Sequence, residues 1–359
     1  MPAPSRIPAL TAEAGPMWTG QNLTGVDYPI VLSEEQIAEI AEATAVACRR
    51  LAGRDMTFDP TIGPDDFPLP LSSSVLKKAA REVADGRGFA LVRGLPVETV
   101  SEDQAAVMIR GLATHLAPIA TQSRTGHLIR HVRSTGRQLG DTVTRGHQTA
   151  DRLWFHTDGA DAAVLLCRRG AAEGGLSRLA SAAAVHNAML DLDPDAVAAL
   201  YQPFHFHMAG GNCPGLPETF VSPIFSHHQG LFSVRFVRHT LLETPQVTGV
   251  PITERVLAAF DLLEQVADGV AADMELRAGD LQVVNNHTVL HSRTAYTDPS
   301  DADQARHLLR CWLTFAHYRD RRPSPIDEAL RYGWLTDHQQ RQAAQTWTPP
   351  SAYATSGIE

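Results

Sequence analysis

The order of the predicted elements sets the strongest limit on how this chain of 359 residues can fold. Helical patterns occupy the part before Leu116, and short β-like stretches dominate the part after it: HLIRHVR, AAVLLC, FHFHM, LFSVRFV, DMELRAG, LQVVNN and LLRCWLTF. Only SAAAVHNAML and TERVLAAFDLLEQVA interrupt those stretches with a helical pattern. Because strands and helices do not alternate, the sequence predicts a mainly β fold with flanking helices (α+β), built as an antiparallel barrel or sandwich.

Helix start signals mark the first part of the chain. Ser33 with Gln36, and Ser101 with Gln104, form capping-box patterns, and each is followed by apolar residues at helical spacing. Another helix is predicted from about Ser73 to Ala84. The stretch GRGFALVRGLP that follows it has a short apolar run between turn residues, which predicts a buried strand.

No linker, internal repeat or low-complexity segment divides the chain. With 43% hydrophobic residues the chain can bury one large core, so we expect a single domain over residues 1–359. Residues 1–30 are rich in Pro, Gly and Thr and are interpreted as an N-terminal arm on that domain. Residues from about 320 to 359 are interpreted as a C-terminal extension.

Charge and apolar patterning restrict the partners. The formal net charge is -9, with no basic run, which argues against a nucleic-acid surface and against attraction to anionic lipid. No apolar stretch approaches the roughly 18 residues of a membrane span, and the first residues lack the apolar core of a signal peptide, so a cytoplasmic protein is expected. The four cysteines form no Cys-x-x-Cys pair, which suggests neither a disulfide framework nor a thiolate zinc site. Small molecules are therefore the expected partners, and an oligomer is possible.

The stretch WFHTDGAD places His156 and Asp158 two positions apart. If Leu153 to Asp158 is extended, both side chains project to the same face, which is how the end of one strand can offer two metal ligands. The alternative is a turn, because Asp-Gly is a strong turn signal by itself. This pair alone does not decide between the two.

Further candidate residues lie downstream. His291 follows in a β-like run, and two histidines with one carboxylate form the facial triad typical of non-heme Fe(II) oxygenases. Arg306 and Arg310 share one face of the predicted strand RHLLR, and an inward arginine would imply a buried carboxylate partner. Ser177, after the glycines of EGGLS, could donate to the same carboxylate. The alternative is that both arginines lie on the rim and pair with Asp298, Asp301 or Asp303.

These motifs together resemble a known family. FHTD, EGGLSRLAS, GDLQVVNN, LHSR and RHLLRCWL occur in the order and approximate spacing of the Fe(II)/2-oxoglutarate-dependent dioxygenases of the taurine dioxygenase and clavaminate synthase-like (TauD/TfdA) family, over roughly residues 80 to 320. The N-terminal stretch GRGFALVRGLP is similar to that family's first core strand.

The resemblance implies a double-stranded β-helix (jelly roll) in which His156, Asp158 and His291 hold Fe(II). It also implies that 2-oxoglutarate chelates the iron and that its distal carboxylate binds Arg306 and Ser177. Arg310 would lie near the 1-carboxylate of 2-oxoglutarate or near an acidic group of the substrate.

The activity implied is that of an enzyme that converts 2-oxoglutarate and O2 to succinate and CO2 while it oxidises an unactivated C–H bond. Hydroxylation, desaturation and oxidative cyclisation all remain open as outcomes. A small carboxylate or amino-acid-like metabolite is the expected substrate. The alternative is a non-catalytic jelly-roll protein that binds a small acid as a sensor or carrier.

Candidate substrate contacts lie between the first strand and the triad. Gln122, Arg145, His147 and Gln148 could approach the substrate, as could Arg310. Each of the first four also has an ordinary structural interpretation, as an exposed arginine, a backbone-bonded glutamine or a loop histidine.

Overall fold

The computed structural model describes residues 7–24, 26, 28–53, 62–122, 127–136, 146–207, 219–228 and 230–315. The described α-helices are α1 Gly20–Leu23, α2 Glu34–Arg50, α3 Ser73–Ala84, α4 Glu102–Thr114, α5 Ala182–Leu192, α6 Pro194–Leu200, α7 Arg238–Thr248 and α8 Glu254–Val270. The described strands are β1 Pro29–Val31, β2 Phe89–Arg93, β3 Ile119–Ala120, β4 Arg130–Val132, β5 Leu153–His156, β6 Ala162–Arg169, β7 Glu173–Gly174, β8 Ser177–Ser181, β9 Pro203–His207, β10 Thr219–Pro223, β11 Phe225–His228, β12 Leu231–Val234, β13 Ala272–Met274, β14 Leu281–Asn285, β15 Val289–Arg293, β16 Tyr296–Thr297 and β17 His307–Leu313.

The larger sheet has the strand order β1-β2-β14-β6-β17-β3, with β4 also paired to β17. Alternate residues of β17 face opposite sides: Leu309, Cys311 and Leu313 join the core formed with α2, α3 and α4. Leu308 and Trp312 lie outside that core, on the other face of the sheet. Arg310 therefore points away from the helices and into the molecule.

The smaller sheet has the order β13-β8-β15-β5. Its outer face packs on α5, α6 and α8, where Phe155, Ala180 and Leu290 are buried. Side chains alternate along a strand, so His156 and His291, each next to one of these outward residues, point inward. Two sheets with helices on their outer faces form the jelly-roll core implied by the resemblance.

Several local predictions are confirmed. Both capping boxes are present at Ser33 and Ser101, and α3 spans the predicted residues. The assignment of residues 1–30 as an arm stays a prediction, although Trp18 donates from Nε1 to the carbonyl oxygen of Arg87 (2.7 Å) and Ala14 accepts from the backbone N–H of Phe232 (2.9 Å). The predicted C-terminal extension, 320–359, lies outside the described residues.

Other local predictions need correction. Among the described strands the sheets do not close into a barrel, and β1 pairs with β2 in parallel, so the fold is a mixed-sheet sandwich. Two helices beyond the two predicted ones, α6 and α7, lie in the second part. The helix α7 contains Pro245, which on sequence grounds argues against a helix, and it ends at Gly249 with φ of 74°.

Candidate active site

Two histidines face each other across neighbouring strands of the smaller sheet. His291 in β15 lies directly opposite His156 at the end of β5. Their ring centroids are 4.3 Å apart, and the ring planes are tilted by 50°. The register of this strand pair therefore brings together two side chains that are 135 positions apart in the sequence.

Asp158 completes the group from the loop after β5. The strand ends at His156, so Asp158 lies just beyond it rather than within it as predicted, but its side chain still points toward the histidines. One ligand atom from each of His156, Asp158 and His291 lies within 4.8 Å of the others. The structure thus brings the three predicted metal ligands together.

The donor set fits a divalent iron. Nδ1 of His156 donates to the carbonyl oxygen of Trp154 (2.8 Å), which leaves the Nε2 lone pair available. Nε2 of His291 lies 3.9 Å from Oδ2 of Asp158. Burial and the neighbouring His156 lower the pKa of His291 to about 3, although Asp158 opposes this shift. His291 is therefore neutral at neutral pH, the form that binds a metal.

The carboxylate of Asp158 is held ionised. Burial alone would raise the pKa of Asp158, but Arg310, the two histidines and the indole N–H of Trp312 lower it to about 2. Nη1 of Arg310 lies 3.2 Å from each carboxylate oxygen, and Nε1 of Trp312 donates to Oδ2 (3.0 Å). A carboxylate has about four lone-pair directions, so these contacts leave room for a metal bond.

Arg310 is positioned by Gln122. Nε of Arg310 donates to Oε1 of Gln122 (2.8 Å), and Nε2 of Gln122 donates back to the carbonyl oxygen of Arg310 (2.8 Å). Gln122 is buried, so both groups are fixed in orientation. The structure therefore places Gln122 and Arg310 beside the metal ligands.

Arg306 lies just before β17 and is buried, with 5% of its surface exposed. Burial lowers its pKa. Asp298 accepts the backbone N–H of Arg306 (2.7 Å), and the buried guanidinium does not lie on the rim as the alternative interpretation required. Ser177 in β8 is also buried and donates to Oε1 of Gln282 (2.8 Å).

For the remaining substrate candidates, contact with the substrate stays a prediction. Arg145 lies outside the described residues. His147 and Gln148 belong to a 3-10 helix, Gly146–Gln148. The backbone N–H of Thr135 donates to the carbonyl oxygen of Gln148 (2.9 Å). The side chain of His147 is not among the described ones, so its proposed contact with substrate stays a prediction.

A second group of possible ligands lies on the other side of the larger sheet. Glu102, His131 and His307 also place one ligand atom each within 4.8 Å of the others. However, Nη1 of Arg168 lies 3.2 Å from Nδ1 of His307, and Nη1 of Arg133 lies 3.4 Å from Oε2 of Glu102. These guanidinium charges disfavour a cation there, and the histidines bond to each other (2.9 Å).

Two residues at the site were not predicted from the sequence. Trp312 follows Arg310 by two positions on one strand face, so strand alternation could have identified it. Asn286 accepts the backbone N–H of Asp158 at Oδ1 (3.0 Å) and donates from Nδ2 to the carbonyl oxygen of Ala160 (2.9 Å). The sequence assigned no role to Asn286, because a contact across the fold leaves no local signal.

Comparison with known proteins identifies the family. Residues 53–312 match the family model described as taurine catabolism dioxygenase TauD, TfdA family. The chain is 31% identical over 301 residues to FR-33289 synthase of Streptomyces rubellomurinus (strain ATCC 31215), covering 81% of this chain and 86% of that protein. The chain belongs to the TauD/TfdA family of Fe(II)- and 2-oxoglutarate-dependent dioxygenases.

Solved structures show the same fold. Asparagine oxygenase in complex with Fe(II), 2S,3S-3-hydroxyasparagine and succinate matches with a TM-score of 0.63 and 20% identity, over 84% of this chain and 98% of that one. The non-heme iron oxygenase OrfP in complex with Fe and alpha-ketoglutaric acid matches with a TM-score of 0.58 and 17% identity, over 82% of this chain and 96% of that one. OrfP has also been solved with Fe, succinate and (3S)-hydroxy-L-Arg. None of the described helices of this chain has the length and apolar character needed to cross a membrane.

Proposed function

We propose that this enzyme oxidises a C–H bond of a small metabolite that carries a carboxylate, most simply an amino acid or a close derivative. The observation that carries this proposal is the meeting of His156, Asp158 and His291 within 4.8 Å, directly beside the cation of Arg310. The two structural neighbours with hydroxylated amino acids bound support the same substrate class.

In this proposal His156, Asp158 and His291 hold Fe(II). When bound, the iron activates O2 for an oxidation in which 2-oxoglutarate becomes succinate and CO2. The histidines bind as neutral imidazoles and Asp158 as a carboxylate, which the lowered pKa values of His291 and Asp158 favour at neutral pH. The chain thus supplies one negative charge to a divalent ion.

Arg306 and Ser177 are proposed to bind the distal carboxylate of 2-oxoglutarate. Nη1 of Arg306 has no hydrogen-bond partner among the described residues, so it is free to donate to a ligand. The Ser177 hydroxyl can rotate its proton from Gln282 toward that carboxylate. Both side chains are buried, so their bonds to a carboxylate would be little weakened by water.

Arg310 is proposed to bind a second carboxylate, that of the substrate or the 1-carboxylate of 2-oxoglutarate. Its Nε and Nη1 are used by Gln122 and Asp158, while Nη2 makes no hydrogen bond with the described residues. Nη2 of Arg310 is therefore available to donate to an anion bound next to the metal ligands. The substrate carbon to be oxidised should lie within a few bonds of this carboxylate.

Family membership disfavours the alternative of a non-catalytic sensor or carrier. Single-domain organisation, a cytoplasmic location, and substrate contacts by Arg145 and His147 are further parts of the proposal that follow from the sequence alone.

Substrate-stimulated release of succinate tests the proposal. The purified enzyme, with Fe(II), ascorbate and 2-oxoglutarate, should be assayed against amino acids and, as matched controls, the corresponding amides and decarboxylated amines. We expect stimulation only by compounds that keep the carboxylate. Stimulation only by neutral apolar compounds would overturn the role of Arg310, and no succinate under any condition would favour the non-catalytic alternative.

A further inference from the structure

Two buried arginines share one aromatic ring behind the metal ligands. Arg293 and Arg306 are each 5% exposed. Their Cζ atoms lie 4.7 Å and 5.0 Å from the ring centroid of Tyr296. Two like charges in one buried place are costly unless an anion accompanies them.

Both guanidinium groups have donors that the described protein atoms leave unused. Nη2 of Arg293 donates to the backbone carbonyl oxygens of Thr149 (2.9 Å) and Asp151. Nε and Nη1 of Arg293, like Nη1 of Arg306, have no hydrogen-bond partner among the described residues. Buried charged donors without partners carry a large desolvation cost, which a bound anion would remove.

The strand register brings these donors to the proposed co-substrate site. Arg293 in β15 lies directly opposite Ser177 in β8. Two residues before Ser177, a Cβ added at Gly175 would lie 3.2 Å from Nε of Arg306 and 3.4 Å from Cβ of Tyr296. The segment from Gly175 to Ser177 therefore adjoins both arginines, and Arg293 follows His291 by two positions on the inward face.

We propose that Arg293 is a second arginine for the distal carboxylate of 2-oxoglutarate, with the ring of Tyr296 holding the two guanidinium groups in place. This inference rests on the proposed function and adds a residue to its co-substrate site. A carboxylate accepts about four hydrogen bonds, so Arg306 and Ser177 leave capacity for a further donor. The competing role for Arg293 is purely structural, through its bonds to the carbonyl oxygens of Thr149 and Asp151.

Two keto acids separate these roles. 2-Oxopentanoate has the carbon chain and the chelating keto acid of 2-oxoglutarate but lacks the distal carboxylate. Dissociation constants of both compounds should be measured without oxygen on the Fe(II)-loaded protein, by calorimetry and by the visible band of the complex. For Arg293→Met we expect 2-oxoglutarate to bind about 30-fold more weakly or worse, while the affinity for 2-oxopentanoate changes by less than about threefold.

Equal losses for both keto acids, or no loss for either, would overturn the inference. If Arg293→Met does not fold, Arg293→Lys keeps the charge without the planar fork, and its loss should again be confined to 2-oxoglutarate. Arg168→Met is the matched control, because Arg168 is a partly buried arginine that contacts His307 on the other side of the larger sheet. A wild-type protein that binds neither keto acid would instead contradict the proposed function itself.

Discussion

The position of Asp158 is the most demanding feature of the candidate site. Asp158 is the only carboxylate among the three candidate ligands, and it lies in a loop rather than in a strand. Its side chain is held by Arg310 and Trp312, and its backbone N–H by Asn286. Asn286 also bonds to Ala160 in the same loop, so one side chain fixes the loop at two points.

Asn286→Ala should therefore weaken iron binding without removing a ligand. Loss of a group that orients a metal ligand typically reduces metal affinity by about 10- to 100-fold, and we expect that range here. Anaerobic titration with Fe(II) measures it. Asn187→Ala is the matched control: Asn187 bonds to the backbone of Leu10 far from the site, so the variant should lower stability but not iron affinity. Equal iron affinities in wild type and Asn286→Ala would show that the loop does not need this side chain.

Substitutions of Arg306 should weaken the binding of 2-oxoglutarate. Arg306→Ala would leave the distal carboxylate of 2-oxoglutarate without its main partner in a buried place, which should cost about 2–5 kcal/mol of binding free energy. Arg306→Lys should lose less, because it keeps the charge but not the paired hydrogen bonds. Calorimetry on the Fe(II)-loaded protein provides the values, and an alanine variant with unchanged affinity would refute the assignment.

At the scale of elements, the turn between β7 and β8 is shaped by its glycines. Gly174 and Gly175 have φ of 74° and 68°, a left-handed conformation that side chains disfavour. At Gly175 an added Cβ would also lie within 3.2 Å of Arg306. The Gly-Gly pair thus lets the backbone of this turn lie close to the side chain of Arg306.

Gly175→Ala should reduce affinity for 2-oxoglutarate, whereas Gly249→Ala should not. Gly249 has a similar φ of 74°, but an added Cβ there meets nothing within 4 Å. Both variants should lose about 1–2 kcal/mol of unfolding free energy from backbone strain. Only Gly175→Ala should displace Arg306, so urea unfolding and 2-oxoglutarate titration together separate the two effects. Equal 2-oxoglutarate affinities in the two variants would contradict this account of the turn.

Helices and strands were predictable from the sequence where the pattern that defines them lies within a few neighbouring residues. The capping boxes at Ser33 and Ser101 and the apolar run of β14 each act within a few residues. The helix α7 was missed because Pro245 obscures its pattern. The strand β11 was missed because its pairing with β12 is not a local property. Pairing partners, and hence the approach of Asn286 to Asp158, depend on contacts more than a hundred residues apart.

At the scale of the whole molecule, buried neutral histidines make stability depend on pH. Burial, with neighbouring charges, lowers the pKa of His291 and of His307 to about 3, from the ordinary 6.5. The unfolded chain therefore binds more protons than the folded one between pH 3 and 6.5, so stability falls as the pH is lowered through that range.

For the metal-free protein, lowering the pH from 6.5 to 5 should cost about 2 kcal/mol of unfolding free energy for each of these histidines. His307→Gln removes one titrating group and should flatten this dependence by roughly that amount. Urea unfolding at the two pH values measures the difference. An identical pH dependence in wild type and variant would mean that His307 is not held neutral.

The architecture as a whole was largely predictable, since the element order indicated a mainly β barrel or sandwich with flanking helices and the motif series resembled one family. The triad was predicted from that resemblance together with the spacing of His156 and Asp158, and the structure brings its members together. Arg293 and Tyr296 were not singled out, because an unused donor becomes visible only when burial and partners are known.

The most direct measurement is an anaerobic titration of the purified protein with Fe(II) and then 2-oxoglutarate, followed by visible absorption. If His156, Asp158 and His291 hold the iron, the protein should bind one Fe(II) per chain and develop the weak charge-transfer band of a ferrous keto-acid complex. The band should be absent in His291→Ala. A wild-type protein that develops no band with iron, or that takes up stoichiometric zinc in its place, would contradict the central claim.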